Sequence, residues 1–317
     1  GTGQMIGRLC IIGVGLLGGS VARAARQYGL AREIVGVDSN PANLEAALRL
    51  GVVDRAYEFI QPAAEGADWV VLATPVGTMP ALLYDLRACW NRAVIYTDVG
   101  STKCNLITAL KGIFGDIPDN FIPGHPIAGA EQSGVEAARA DLFTGKRVIL
   151  TPVVATSPGA LAEVSSFWRG VGASVSMMEP ERHDQILAAT SHLPHVLAFA
   201  LTDLLGQKDE QEAIFQFAAG GFRDFSRIAS SDPKMWLDIC LANREQLLPL
   251  IEEYCASLFA MRELMAHQSA DELLALFTRA RAARQRFLSI SQDTGTASVA
   301  SDFSPQAIQG DAHKNAG

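Results

Sequence analysis

Gly13-Val14-Gly15-Leu16-Leu17-Gly18-Gly19-Ser20 decides the fold of this chain. It follows an apolar run, Leu9-Cys10-Ile11-Ile12, and opens a helical pattern over 17–29. In such a strand–turn–helix unit the first glycine of GxGxxG allows the tight turn. The second lets backbone approach a pyrophosphate, and the third lets helix and strand pack closely. The helix then faces phosphates with unpaired N–H groups and the positive end of its dipole. Asp38 ends the next apolar run, where a carboxylate can hold the ribose hydroxyls of an adenosine. Asp38-Ser39-Asn40 brings no arginine to meet a 2′-phosphate, so NAD is favoured over NADP. Gly13, Gly15, Leu16, Leu17, Gly18 and Asp38 are therefore the expected cofactor-binding residues.

Outward from this motif, β-branched apolar runs alternate with helical patterns as far as residue 178. Strands are expected at 8–13, 33–38, 55–58, 69–74, 93–98, 120–123, 147–151 and 173–178. Helices are expected between them at 17–29, 41–50, 77–89, 102–114, 131–142 and 158–170. The early strands are apolar throughout, as strands covered on both faces of a parallel sheet are. The alternation predicts an α/β fold with a doubly wound, Rossmann-type, mostly parallel sheet. Further strand ends should complete the cofactor cleft. They bring Thr74 and Pro75 from one loop, and Asp98 and Ser101 from the next. Ser101 reads equally as the cap of the helix that follows.

After Glu179-Pro180 the strand pattern stops. Long amphipathic helices are expected at 181–206, 209–220, 233–266 and 270–290. The reading is a dinucleotide-binding domain over 5–179, an all-α domain over 180–292, and a disordered polar tail over 293–317. Leu247, Leu248, Ile251 and Leu258 make an apolar stripe, which predicts a homodimer through the helical domain.

Composition narrows the function. The 317 residues are 49% hydrophobic, which suits folded domains, and 26 basic against 34 acidic residues give a net charge of −8. Nucleic acid is a poor partner for so acidic a chain. No apolar run reaches the ~20 residues of a membrane span, and no secretory signal pattern is visible. Five cysteines without a CxxC spacing read as reduced thiols, so a cytoplasmic location is expected.

Three constellations carry chemistry. The first is Gly124-His125-Pro126-Ile127-Ala128-Gly129, which puts an imidazole at the end of a parallel strand. A histidine beside a nicotinamide can accept the proton of an alcohol. The second is Ser191-His192-Leu193-Pro194-His195, where Pro194 should kink a helix and both histidines lie on one face. No HExxH or carboxylate-flanked pair accompanies them, so no metal is expected. The third is Gly220-Gly221-Phe222-Arg223-Asp224-Phe225-Ser226-Arg227, with two arginines four apart and Asp224 able to orient one of them. A guanidinium matches a carboxylate bidentately, so the substrate should be a small anion. For Arg223 an interface salt bridge is an equal alternative.

Taken in order, GxGLxGGS, DxGSxK, GHPIAGxExSG, SHLPH and GGFRDFxRIAxSDPxMW resemble the prephenate dehydrogenase family, the cyclohexadienyl dehydrogenases of tyrosine biosynthesis. The resemblance spans residues 7 to 290. It implies NAD-dependent oxidative decarboxylation of prephenate to 4-hydroxyphenylpyruvate, or of arogenate to tyrosine. It also implies that His125 accepts the proton of the C4 hydroxyl and that Ser101 orients that hydroxyl or the imidazole. Arg227 would bind the ring carboxylate and His195 the side-chain end. Glu131 and Asp224 would gate or orient the arginine, and Trp236 would reach a neighbouring subunit's site. The pH profile of kcat/KM should then show one group near neutrality, required deprotonated. Ala130 departs from relatives that carry a hydroxyl residue after the GHPIAG motif.

Two other readings compete. A dehydrogenase of the 3-hydroxyacid type would carry a catalytic lysine on the interdomain helix. A non-catalytic NAD-sensing regulator would lack His125 or the arginine pair.

Overall fold

The computed structural model describes residues 4–294. Its first half runs β1 (Ile6–Ile12), α1 (Leu16–Gln27), β2 (Ala31–Val37), α2 (Pro41–Arg49), β3 (Arg55–Tyr57), α3 (Ile60–Ala64), β4 (Trp69–Leu72), α4 (Met79–Arg87), β5 (Ile95–Asp98), α5 (Cys104–Phe114) and β6 (Phe121–Ile122). These six strands form one parallel sheet in the order β3-β2-β1-β4-β5-β6. The order reverses beside β1, and it is at such a switch point, at the carboxyl ends of the strands, that doubly wound sheets bind their ligands. Alternate residues feed opposite faces: Ile11, Ile34 and Val71 join one core cluster, while Ile12, Val35 and Val70 join another with Met79 and Leu83 of α4. Burial on both faces is why these strands lack a polar alternation.

A second sheet departs from the expected single one. β7 (Gly124–Pro126), β8 (Arg147–Leu150) and β9 (Ser174–Met177) pair in that order, with α6 (Pro158–Gly170) between the last two. β7 is antiparallel to β8 and sets His125 opposite Ile149. Pro123, between β6 and β7, has no N–H to extend the first ladder, and the chain changes partners there. The helix expected over 131–142 is absent. Gly134 sits at φ 91°, and only a short 3-10 turn, Val135–Ala137, forms. That turn packs Val135 into the first core cluster, so tertiary burial outweighs the helical pattern.

The second half is helical: α7 (Pro180–Leu187), α8 (Leu193–Gly206), α9 (Gln211–Gln216), α10 (Gly220–Ser226), α11 (Pro233–Ala242), α12 (Arg244–Ala266) and α13 (Ala270–Thr294). The kink expected at Pro194 takes a different form. A five-residue π-helical turn, Ala188–His192, joins α7 to α8, and Pro194 occupies the first turn of α8, where a missing N–H costs little. The expected helix 209–220 shortens to Gln211–Gln216, a separate helix follows from Gly220, and the expected helix 233–266 divides in two at Asn243. Of the expected tail, Asp293 and Thr294 continue α13, and the rest lies outside the described residues.

Candidate active site

The glycine turn meets each requirement of a dinucleotide cradle. Gly13 sits at φ 96°, and a Cβ there would lie 2.9 Å from the Ala73 carbonyl. A Cβ on Gly18 would overlap the Gly13 carbonyl oxygen, so α1 can approach β1 only at a glycine. Gly15 has open space around it, and no side chain caps the N-terminus of α1. Leu16 and Leu17 form the half-buried first turn of α1. That open N-terminus fits a pyrophosphate. Asp38, just past β2, accepts hydrogen bonds from the Val14 N–H (3.0 Å) and the Asn40 N–H (2.9 Å). The carboxylate is thereby fixed beside the glycine turn with acceptor capacity to spare for hydroxyls. Thr74 and Pro75 border the same crevice. The Thr78 hydroxyl holds their loop through the Pro75 carbonyl (2.7 Å) and the Thr74 hydroxyl (2.8 Å).

Asp98 does not face this cleft, contrary to the sequence expectation. It is fully buried. Its carboxylate takes the Gly100 and Gly124 N–H groups at 3.0 Å each and the Lys103 ammonium at 2.5 Å. Lys103 Nζ also donates to the Gly124 carbonyl at 2.5 Å. The ion pair thus clamps both sides of the glycine that precedes His125. Burial pushes the Asp98 carboxyl up and the Lys103 ammonium down, and each opposes the other's shift.

His125 is 8% exposed. Its Nδ1 lies 2.8 Å from His183 Nε2, and His183 Nδ1 lies 2.8 Å from Asp184 Oδ1. His125 Nε2 makes no hydrogen bond among the described residues. Asp184 also caps α5 from α7, its two oxygens accepting the Lys103 and Cys104 N–H groups at 2.9 Å each. Ser101 is therefore not the cap of α5. It stays half-buried, and its hydroxyl has no hydrogen-bond partner among the described residues. Burial drives His125 well below the usual 6.5, helped by His183, Lys103 and His192. Burial also works to raise Asp184. The His183 hydrogen bond and the Cys104 N–H outweigh it, and the carboxyl settles below its ordinary value.

His192 is fully buried. Its Nδ1 accepts from Asn243 Nδ2 at 3.0 Å, and the same amide donates to the Asp184 carbonyl at 2.9 Å. Its Nε2 has no hydrogen-bond partner among the described residues. Burial pushes this imidazole down to about 4. An unfolded histidine titrates near 6.5. Between those values the unfolded chain binds a proton that the folded chain refuses, so stability is constant above the window and falls as pH drops through it. Unfolding free energies from denaturant melts at pH 7.5 and 4.5, at one protein concentration, should differ by about 2.5 kcal/mol from His192 alone. Equal free energies would mean that these histidines are not buried neutral.

The outer groups come from the helical half and the loop after β7. His195 Nδ1 donates to the Ser191 carbonyl at 2.8 Å, and its ring stacks on Trp236 at 3.7 Å. Burial and nearby Arg227 lower its pKa, with the Ser191 hydrogen bond opposing. Trp236 is 6% exposed, packed against its own His195 and the second core cluster. Arg227 Nη1 donates to Glu131 Oε1 at 3.1 Å, both side chains largely exposed. Asp224 orients neither arginine, since α10 turns it to solvent without a partner. Glu131 is the carboxylate that meets Arg227.

Sequence reasoning missed Lys103, His183, Asp184 and Asn243. Adjacent His183-Asp184 at the start of the first helix after the strands was a legible signal. Asn243 had none. Among the described residues no group of three or more His, Cys, Asp or Glu could hold a metal ion, and no helix is long and apolar enough to cross a membrane.

A pyrophosphate-ready turn and a neutral imidazole in β7, just past the carboxyl end of β6, define an NAD-dependent oxidoreductase. The profile of the prephenate dehydrogenase nucleotide-binding domain matches residues 21–177, and that of the prephenate dehydrogenase dimerization domain matches residues 179–279. The chain belongs to the prephenate dehydrogenase family. It is 36% identical to a cyclohexadienyl dehydrogenase of Zymomonas mobilis over 279 residues, covering 87% of this chain and 94% of that protein. It is 36% identical to a prephenate dehydrogenase of Bacillus subtilis, covering 88% and 75%. A crystal structure of the A. aeolicus prephenate dehydrogenase in complex with hydroxyphenyl propionate and NAD+ matches with a TM-score of 0.83 at 38% identity, covering 90% and 99%. The hydroxyacid and NAD-sensing readings are not favoured. The interdomain helices carry His183, His192 and His195 where the former needs a lysine.

Proposed function

We propose that this chain oxidatively decarboxylates prephenate to 4-hydroxyphenylpyruvate, or arogenate to tyrosine. The observation that carries the reading is His125, kept neutral by burial, with Nδ1 engaged by His183 and Nε2 left without a partner among the described residues. Gly13, Gly15, Leu16, Leu17, Gly18 and Asp38, with the Thr74-Pro75 loop, would hold NAD, which supplies the hydride acceptor when bound. His125 Nε2 accepts the proton of the substrate's C4 hydroxyl, and Ser101 orients that hydroxyl. Arg227 grips the ring carboxylate, with Glu131 holding the guanidinium until substrate displaces it. His195, braced on Trp236, contacts the side-chain end. Loss of CO2 follows from aromatisation of the ring. The test is NADH absorbance on adding prephenate or arogenate to protein plus NAD; growth with neither would end the proposal.

Arg227→Ala should act mainly on KM, weakening substrate by about 2–4 kcal/mol, because a carboxylate loses a charge-assisted bidentate partner. Initial rates over a substrate series check this. An unchanged KM would make Arg227 a structural arginine.

The protein is further proposed to act as a cytoplasmic homodimer, with units at 5–179 and 180–292. No residue from Phe199 to Met235, or from Leu248 to Ser291, is buried. Leu247 packs within the chain, but Leu248 and Leu258 of the same stripe are 55% and 48% exposed, and Phe259 is 69% exposed. A second copy is the cover that such apolar helices need. The five free cysteines suit a reducing compartment.

A further inference from the structure

The contacts of His125 fix more than its position. Ionised Asp184 only accepts hydrogen bonds, so the 2.8 Å contact to His183 Nδ1 requires the proton on that nitrogen. A neutral His183 then has a lone pair at Nε2. The 2.8 Å contact between that atom and His125 Nδ1 therefore requires the proton on His125 Nδ1. His125 is left with its lone pair at Nε2, the only nitrogen of the pair without a partner among the described residues. Asp184 thus sets the tautomer of an imidazole it does not touch. It is itself anchored by the two backbone N–H groups of Lys103 and Cys104.

We infer that His183 and Asp184 form a proton relay behind His125. As His125 Nε2 takes the substrate hydroxyl proton, the Nδ1 proton of His125 passes to His183 Nε2. The charge then rests on a His183 imidazolium facing the Asp184 carboxylate. Protons balance: the hydroxyl loses one, His183 gains one, and His125 returns to neutral with its Nδ1–H and Nε2 exchanged. His183 is fully buried, so the proton leaves by the reverse path through His125 once product has gone. The groups facing the pair support this direction. Burial and Lys103 disfavour a cation on both rings, but the Asp184 and Asp98 carboxylates oppose this at His183, whereas every influence on His125 lowers it. Among the described residues Asp184 is the one carboxylate in contact with either ring, and it touches His183. His183 is a positioning residue, since it reaches the chemistry only through His125. The inference rests on His125 being the base.

Two measurements test it. In protein labelled with 15N-histidine, His125 should show a protonated Nδ1 and an unprotonated Nε2 at pH 7.5, with the same pattern on His183. The reverse tautomer on His125 would overturn the relay whatever the substrate. In His183→Gln, the amide oxygen still accepts from His125 Nδ1 but cannot take up its proton. Turnover should fall at least about tenfold, NAD affinity should hold, and the acid limb of kcat/KM should move to lower pH. A fall in turnover with the limb unmoved would mark a purely structural role and overturn the relay, as would unchanged turnover. His125→Asn separates the two ideas: near-normal activity there removes the base itself, whereas a null result in His183→Gln alone removes only the relay.

Discussion

His125→Asn is expected to lower kcat by about 10²- to 10⁴-fold, the usual worth of a positioned acid–base group, while NAD affinity stays the same. Asparagine can still present an amide N–H toward His183, so the local hydrogen bond to that ring survives. What disappears is the lone pair of Nε2. The dinucleotide cradle is built from Gly13, Gly15, Gly18 and Asp38, none of which bonds to His125, so cofactor binding should not follow turnover down. NADH formation under saturating substrate gives kcat, and a fluorescence titration gives the NAD dissociation constant. Near-normal kcat would take the base role away from His125.

The pH dependence follows from the same group. The sequence alone predicted an essential deprotonated group near neutrality. Burial moves His125 well below 6.5, with His183, Lys103 and His192 adding to the shift. Its neutral form is the active one, so kcat/KM should be flat from neutral pH upward and fall only on the acid side. A limb centred at or above 6.5 would show that the imidazole is solvated in the working enzyme.

Lys103→Met should destabilise the fold by about 3–5 kcal/mol. The change leaves the Asp98 carboxylate fully buried with two backbone N–H groups as its remaining donors, and strips the Gly124 carbonyl of its partner. Breaking a buried pair costs far more than the pair contributes against apolar replacements, because an uncompensated charge stays in low dielectric. The double variant Asp98→Asn/Lys103→Met should therefore recover part of the loss. Denaturant melts at a single protein concentration read both changes, since dimer dissociation makes the midpoint depend on concentration. A loss under about 1 kcal/mol for the single change would mean that Asp98 protonates or rehydrates, and that the clamp on Gly124 is dispensable.

Much of the fold could be read from local pattern. Central strands such as Val70-Val71-Leu72 are apolar throughout, and GxGxxG marks the β1–α1 turn through steric needs that belong to those residues. Elements whose form depends on distant packing were harder. The 131–142 segment has a helical pattern, yet Gly134 and burial of Val135 against the first core give it a short 3-10 turn. The 233–266 segment reads as one helix, and Asn243 divides it because its side chain bonds Asp184 and His192, 59 and 51 residues away.

The sequence by itself determined the dinucleotide unit, the helical second half, and His125, Ser101, Arg227, His195 and Glu131 as the groups to examine. These rest on motifs whose chemistry lies within a few consecutive residues. Only the tertiary structure turned Asp98 inward onto Lys103, left Asp224 in solvent, and set His183 and Asp184 behind the imidazole. His183 meets His125 across 58 residues, and Asp184 caps α5 from 81 residues past Lys103. Such contacts leave no periodicity or spacing in the chain. They arise because buried donors and acceptors must find partners, and folding alone decides which ones come within reach.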